Sequence, residues 1–68
     1  MDKNLYKAAL ASKGMTQKEL AKKLGISANT LRLKVNADGD FRREEIAIMY
    51  QIFSKKVTDS FLYTLKNA

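Results

Sequence analysis

The stretch Thr16-Gln17-Lys18-Glu19-Leu20-Ala21-Lys22-Lys23-Leu24-Gly25-Ile26-Ser27 decides how this chain folds. Thr16 and Glu19 have the spacing of a capping box, in which a hydroxyl and a carboxylate each satisfy an N–H that the first helical turn leaves orphaned. A helix therefore starts at Thr16, with Leu20, Ala21 and Leu24 facing inward and Lys18, Lys22 and Lys23 toward solvent. Gly25 supplies the left-handed residue that a sharp helix end needs. Beyond it Ile26 can pack beneath the turn, Ser27 offers a new N-cap, and Leu31 with Val35 makes an apolar i, i+4 pair. A second helix thus runs to about Asn36. Two helices joined by three residues cross steeply, so Ala21 must be small where they touch and Gly25 must take a positive φ; bulk at either site would splay the pair.

Outward from this stretch the chain stays helical. Toward the N-terminus, Asp2 is the N-cap of a helix whose apolar residues Leu5, Tyr6, Ala9 and Leu10 share one face, ending near Lys13 before Gly14. Toward the C-terminus, Ala37-Asp38-Gly39-Asp40 is a turn by composition, and Phe41 is a core anchor after it. A fourth helix spans about Arg42 to Ser54 with Ile46, Met49, Tyr50 and Phe53 as its inner stripe, and Lys55 and Lys56 suit its negative end. A short fifth helix follows, capped at Thr58 or Asp59 and carrying Phe61, Leu62 and Leu65. No strand pattern occurs, so the expected class is all-α with five helices.

The 68 residues carry no proline, repeat or low-complexity linker, which predicts one domain over 1–68. The 46% of hydrophobic residues suffice for one small core, and without Cys neither disulfides nor a thiolate metal site can support it. Lacking His as well, the chain is a poor candidate for an enzyme, and no cofactor, metal or small-molecule ligand is expected. Glu44 and Glu45 are no acid–base pair, because neighbours on a helix point about 100° apart. Thirteen Lys and Arg against seven Asp and Glu leave a charge of +6, which predicts an anionic partner. No apolar run approaches the roughly 18 residues of a membrane span. Lys3, Lys7 and Lys13 interrupt anything like a signal peptide, so a cytoplasmic location is expected.

The Thr-Gln-Lys-Glu-Leu-Ala-Lys-Lys-Leu-Gly-Ile-Ser run resembles the signature of the Cro and lambda-repressor-like (Xre-type) helix-turn-helix proteins of phages and bacteria. The likeness is close from Thr16 to Asn36, and a looser five-helix pattern, including Val57-Thr58-Asp59-Ser60-Phe61, extends it over nearly the whole chain. It implies a compact five-helix lambda-repressor-like fold and a transcriptional regulator, such as a small repressor on a pseudo-palindromic operator, in a bacterial nucleoid or phage-infected cell. It also implies that Gln17 contacts phosphate, and that Ala28, Asn29, Arg32 and Leu33 face base edges of double-stranded DNA, with the protein pairing on it.

Helical geometry reaches the same face independently. With Leu31 and Val35 directed inward, Ala28, Asn29, Arg32, Leu33 and Asn36 remain outside. Asn29 can pair bidentately with adenine and Arg32 with guanine, while Ala28 and Leu33 can touch thymine methyl groups. Phosphate contacts are expected from Thr16, Gln17 and Lys18 at a helix N-terminus, and from Asn36, Arg42 and Arg43. Asp38 and Asp40 would repel the DNA backbone, so their loop should tilt away from it. Lys22 and Lys23 read as solvated charges. Apolar Leu33 and Ala28 on the reading face also suit a different role, a protein-interaction module for an antirepressor or an antitoxin-like partner. Ile48 and Ile52 form a pair outside the fourth helix's inner stripe. They are either a broad buried face or, with Tyr63, a self-association patch.

Overall fold

A side chain or a backbone turn starts and stops each of the five helices found among the described residues. The computed structural model describes residues 1–63, in the order α1 (Lys3–Ser12), α2 (Gln17–Leu24), α3 (Ala28–Asn36), α4 (Arg43–Phe53) and α5 (Lys55–Leu62). No strand occurs among the described residues, and the fold is all-α. Asp2 caps α1 by accepting from the N–H groups of Asn4 and Leu5, and Ser27 caps α3 by accepting from Thr30. Gly25 ends α2 at φ 75°, ψ 26°, and the N–H of Ile26 returns to the Ala21 carbonyl. A Cβ built on Gly25 would meet nothing within 4 Å. The expected objection to bulk there is therefore corrected: the left-handed backbone, not space, demands glycine. Ala21, 1% exposed, is the site where size is constrained.

The core gathers Tyr6, Leu20, Leu31, Met49 and Phe61, all essentially without exposure. Phe61 of α5 stands edge-on to both Tyr6 of α1, at 5.5 Å, and Phe53 of α4, at 5.8 Å. Such edge-to-face pairs contribute about 0.5–1.5 kcal/mol beyond the area they bury. α5 thus fills the floor between α1 and α4, and α2 with α3 closes the other side. Among the described residues no buried side-chain polar atom lacks a partner.

Several expectations need correction. Leu5 is 43% exposed, so the inner face of α1 is narrower and consists of Tyr6, Ala9 and Leu10. α5 is capped four or five residues early: Ser54, at φ 83°, ends α4 and caps α5 by accepting from the Val57 N–H at 3.3 Å. Thr58 is no cap. It is fully buried within α5, and its hydroxyl donates to the Met49 carbonyl of α4 at 3.1 Å, because the two helices pack directly together. Lys55 and Lys56 therefore open α5. Glu45 is a first-turn charge of α4 that is only 6% exposed: it accepts from the Arg42 N–H at 2.8 Å and pairs with Lys34 of α3 at 3.3 Å. Arg42 is the N-cap position and α4 itself starts at Arg43. Ile48 and Ile52 are partly buried against the core. The expected core role of Leu65 falls outside the described residues.

Candidate nucleic-acid interface

The outward side of α2 and α3 is built from their caps. The Thr16 hydroxyl accepts from the Glu19 N–H at 3.1 Å, and the Glu19 carboxylate accepts from the Thr16 N–H at 2.9 Å and from its hydroxyl at 3.2 Å. Those bonds, led by the backbone one and helped by Lys23, hold the Glu19 carboxyl below its usual range. The Thr16 side chain is thus committed to the cap. Gln17, the first residue of α2, is exposed, and its Oε1 accepts from the Tyr6 hydroxyl at 3.2 Å. Burial raises the Tyr6 hydroxyl to about 12, so it remains a proton donor throughout the physiological range. An amide carries oxygen and nitrogen on opposite arms, so fixing the oxygen inward turns the NH2 outward, toward a prospective acceptor. Tyr6 and Gln17 are eleven positions apart, and no sequence pattern linked them.

On α3, Leu31 and Val35 are buried while Ala28, Asn29, Arg32, Leu33 and Asn36 are exposed, Leu33 at 53%. The segment Ala28–Asn36 contains no acidic residue. Arg32 Nη2 donates to Asn29 Oδ1 at 2.6 Å, so the two polar candidates on this face are bonded to each other. Their i, i+3 spacing permits such a bond, although the sequence alone assigns the two side chains to separate bases.

Three concavities divide the remaining candidates. Lys3 and Lys7 of α1, Gln17 of α2, and Arg32 and Asn36 of α3 line one recess over Tyr6. Sequence reasoning did not select Lys3 and Lys7, because which face of α1 meets the helix pair is a tertiary matter. Lys18 and Ala28 instead border a groove between α2 and α3 that includes Ala21, Lys22 and Ile26. Arg42 is exposed, and Arg43 lies away from the recess, in a hollow with Ile46, Ala47, Tyr50 and Tyr63. Tyr63, 56% exposed, borders that hollow, whose walls do not include Ile48 or Ile52.

The loop after α3 turns through Asp38 at φ 64° and Gly39 at φ 81°. The N–H groups of Gly39 and Asp40 both return to the Lys34 carbonyl, at 3.0 and 3.2 Å. A Cβ on Gly39 would come within 3.1 Å of Met1 Cβ, so this position needs glycine for both angle and space. The Met1 ammonium meets the Asp38 carboxylate at 2.6 Å. Among the described residues no helix is long and apolar enough to cross a membrane, and no cluster of metal-ligating side chains occurs.

Neither the curated proteins nor the solved structures yielded a match to this chain. A family model described as helix-turn-helix matches residues 7–32, which reach from α1 through α2 and the turn at Gly25 to Arg32. With the capped helix pair, the left-handed glycine and the exposed face of α3, that segment is a helix-turn-helix, similar to those of the Cro and lambda-repressor-like DNA-binding proteins.

Proposed function

We propose that this chain is a sequence-specific, duplex-DNA-binding transcriptional regulator, a small Cro-like repressor that occupies a pseudo-palindromic operator as a two-fold pair. The observation that carries the reading is the outer face of α3, exposed along Ala28, Asn29, Arg32, Leu33 and Asn36, free of carboxylates and flanked by the oriented Gln17 amide. α3 enters the major groove, where Asn29 pairs with adenine and the apolar Ala28 and Leu33 meet thymine methyl groups. The Gln17 NH2 and nearby lysines hold phosphates and set the register without reading sequence. Pairing puts two such helices roughly 34 Å apart, on successive major grooves of a palindrome. Repression then follows from occupying a promoter.

Selection of bound duplexes from a random pool, followed by a salt titration on the recovered site, tests this. The expected result is a palindrome, with log K falling by about 0.9 per neutralised phosphate for each decade of salt. Absence of binding to any duplex at low salt would sink the reading. The exposed Leu33 would then favour the second one, a module of the same fold that docks another protein through this face.

A further inference from the structure

Asn29 and Arg32 stand one helical turn apart on the reading face, joined by the 2.6 Å bond from Arg32 Nη2 to Asn29 Oδ1. Arg32 also lines the recess with Lys3, Lys7, Gln17 and Asn36. No carboxylate lines that recess, so its three cations repel one another and an anion between them is favoured. The ammonium groups, the outward Gln17 NH2 and the guanidinium are all donors, the set that a phosphodiester oxygen accepts from.

The guanidinium is a planar fork with five N–H groups. One N–H of Nη2 is engaged with Asn29, and a phosphate in the recess would take the remaining bidentate edge, leaving none for the O6 and N7 pair of guanine. The Asn29 oxygen has two lone pairs, so it can keep Arg32 and still accept from adenine N6 while its NH2 donates to N7. Holding the amide in place beforehand spares the ordering of a mobile side chain when DNA arrives.

We propose that Arg32 is a positioning residue and not a base reader: it bridges a backbone phosphate seated over Lys3, Lys7 and Gln17 to the amide of Asn29. The proposal rests on the DNA-binding reading above. Backbone contact and base discrimination are thereby coupled through one side chain.

Binding of the full chain to the selected site, and to every single base-pair variant of it, separates the roles. Arg32→Ala should lower discrimination about tenfold at the same base pair where Asn29→Ala lowers it, and leave other positions unchanged. The salt slope should also fall by about 0.9. Arg32→Lys should restore the slope but not the discrimination, because an ammonium is a point charge without a fork. Arg32 is exposed, so thermal melting by circular dichroism should not change. Loss of preference at a base pair that Asn29→Ala leaves intact would make Arg32 a reader and overturn the proposal. Uniform weakening on all duplexes, with discrimination kept, would reduce it to a phosphate contact and overturn it equally. If the unsubstituted chain binds no duplex, the parent reading fails and takes this one with it, an outcome distinct from the other two.

Discussion

The corner at Gly25 between α2 and α3 and the corner at Ser54 between α4 and α5 both turn the chain at a residue of positive φ, 75° in one and 83° in the other. At Gly25 the residue type meets the conformation without cost. At Ser54, with ψ 157°, an L-residue occupies a region that glycine alone populates comfortably, which costs of order 1–3 kcal/mol. That corner is held from outside itself. The Thr58 hydroxyl reaches the Met49 carbonyl, the Tyr50 hydroxyl reaches Asp59 at 2.8 Å, Lys55 pairs with Asp59 at 3.0 Å, and Phe53 and Phe61 meet edge to face. One corner is specified locally, and the other is imposed by the packing of its neighbours.

The most damaging way to break the second corner is to remove its packing. Phe61→Ala should cost about 3–5 kcal/mol. That is comparable to the whole stability of so small a chain, at roughly 0.05–0.15 kcal/mol per residue. Chemical denaturation followed by circular dichroism should show a largely unfolded protein at room temperature. A loss under about 1 kcal/mol would mean that packing does not hold Ser54 in place.

A smaller pair of changes sharpens the contrast by exchanging the two residue types. Gly25→Ser should destabilise by about 1–2 kcal/mol through its backbone angle alone, since a Cβ there has open space. Ser54→Gly should instead stabilise by about 0.5 kcal/mol, because relieved strain outweighs the weakened cap and the added chain entropy. Urea midpoints of the two variants should move in opposite directions. The same sign for both would dissolve the distinction.

The gentlest probe is acid. Glu19, at the capped start of the helix that leads into the first corner, is held below its usual range by the Thr16 backbone bond first, and Asp59 at the second corner by its bonds to Lys55 and then Tyr50. Both carboxyls have lower values folded than unfolded, so the folded state binds fewer protons. The stability they contribute is present above the unfolded carboxylate range, near pH 4, and is lost as pH falls through the folded values. Melting temperatures of Glu19→Gln and Asp59→Asn should therefore converge on the parent's in acid. Salt should shrink the Asp59 difference more, since Asp59 rests on an exposed ion pair and Glu19 on a backbone bond. Equal salt sensitivity would place the α2 cap and the Ser54 corner on the same electrostatic footing.

The same division runs through the candidate site. The exposed face of α3 was legible because Leu31 and Val35 at i, i+4 settle which side of a helix is buried, and the remaining positions follow from the period. The bond from Tyr6 to Gln17, the approach of Lys3 and Lys7, and the Lys34–Glu45 pair between α3 and α4 were not legible. Each joins residues on different helices, and helical spacing says nothing about which helices become neighbours. Glu45 shows the consequence: its place in the first turn of α4 is local, but its burial against Lys34 of α3 is not. The start of α5 was missed for a related reason, since Thr58 and Asp59 are good caps by type and only the contact with α4 takes Thr58 into the core.

By itself the sequence determined the number of helices, the capped start at Thr16, the turn at Gly25 and the outward face of Asn29, Arg32 and Leu33. All of these follow from interactions within about one helical turn, where capping geometry, glycine's freedom and the 3.6-residue period act. Only the tertiary structure decided that α5 wedges Phe61 between Tyr6 and Phe53, that Ser54 bears the strained corner, and that the N-terminal helix brings Tyr6, Lys3 and Lys7 to Gln17 and Arg32. Those outcomes depend on burying apolar surface contributed by segments far apart in the chain, a driving force without direction along the sequence.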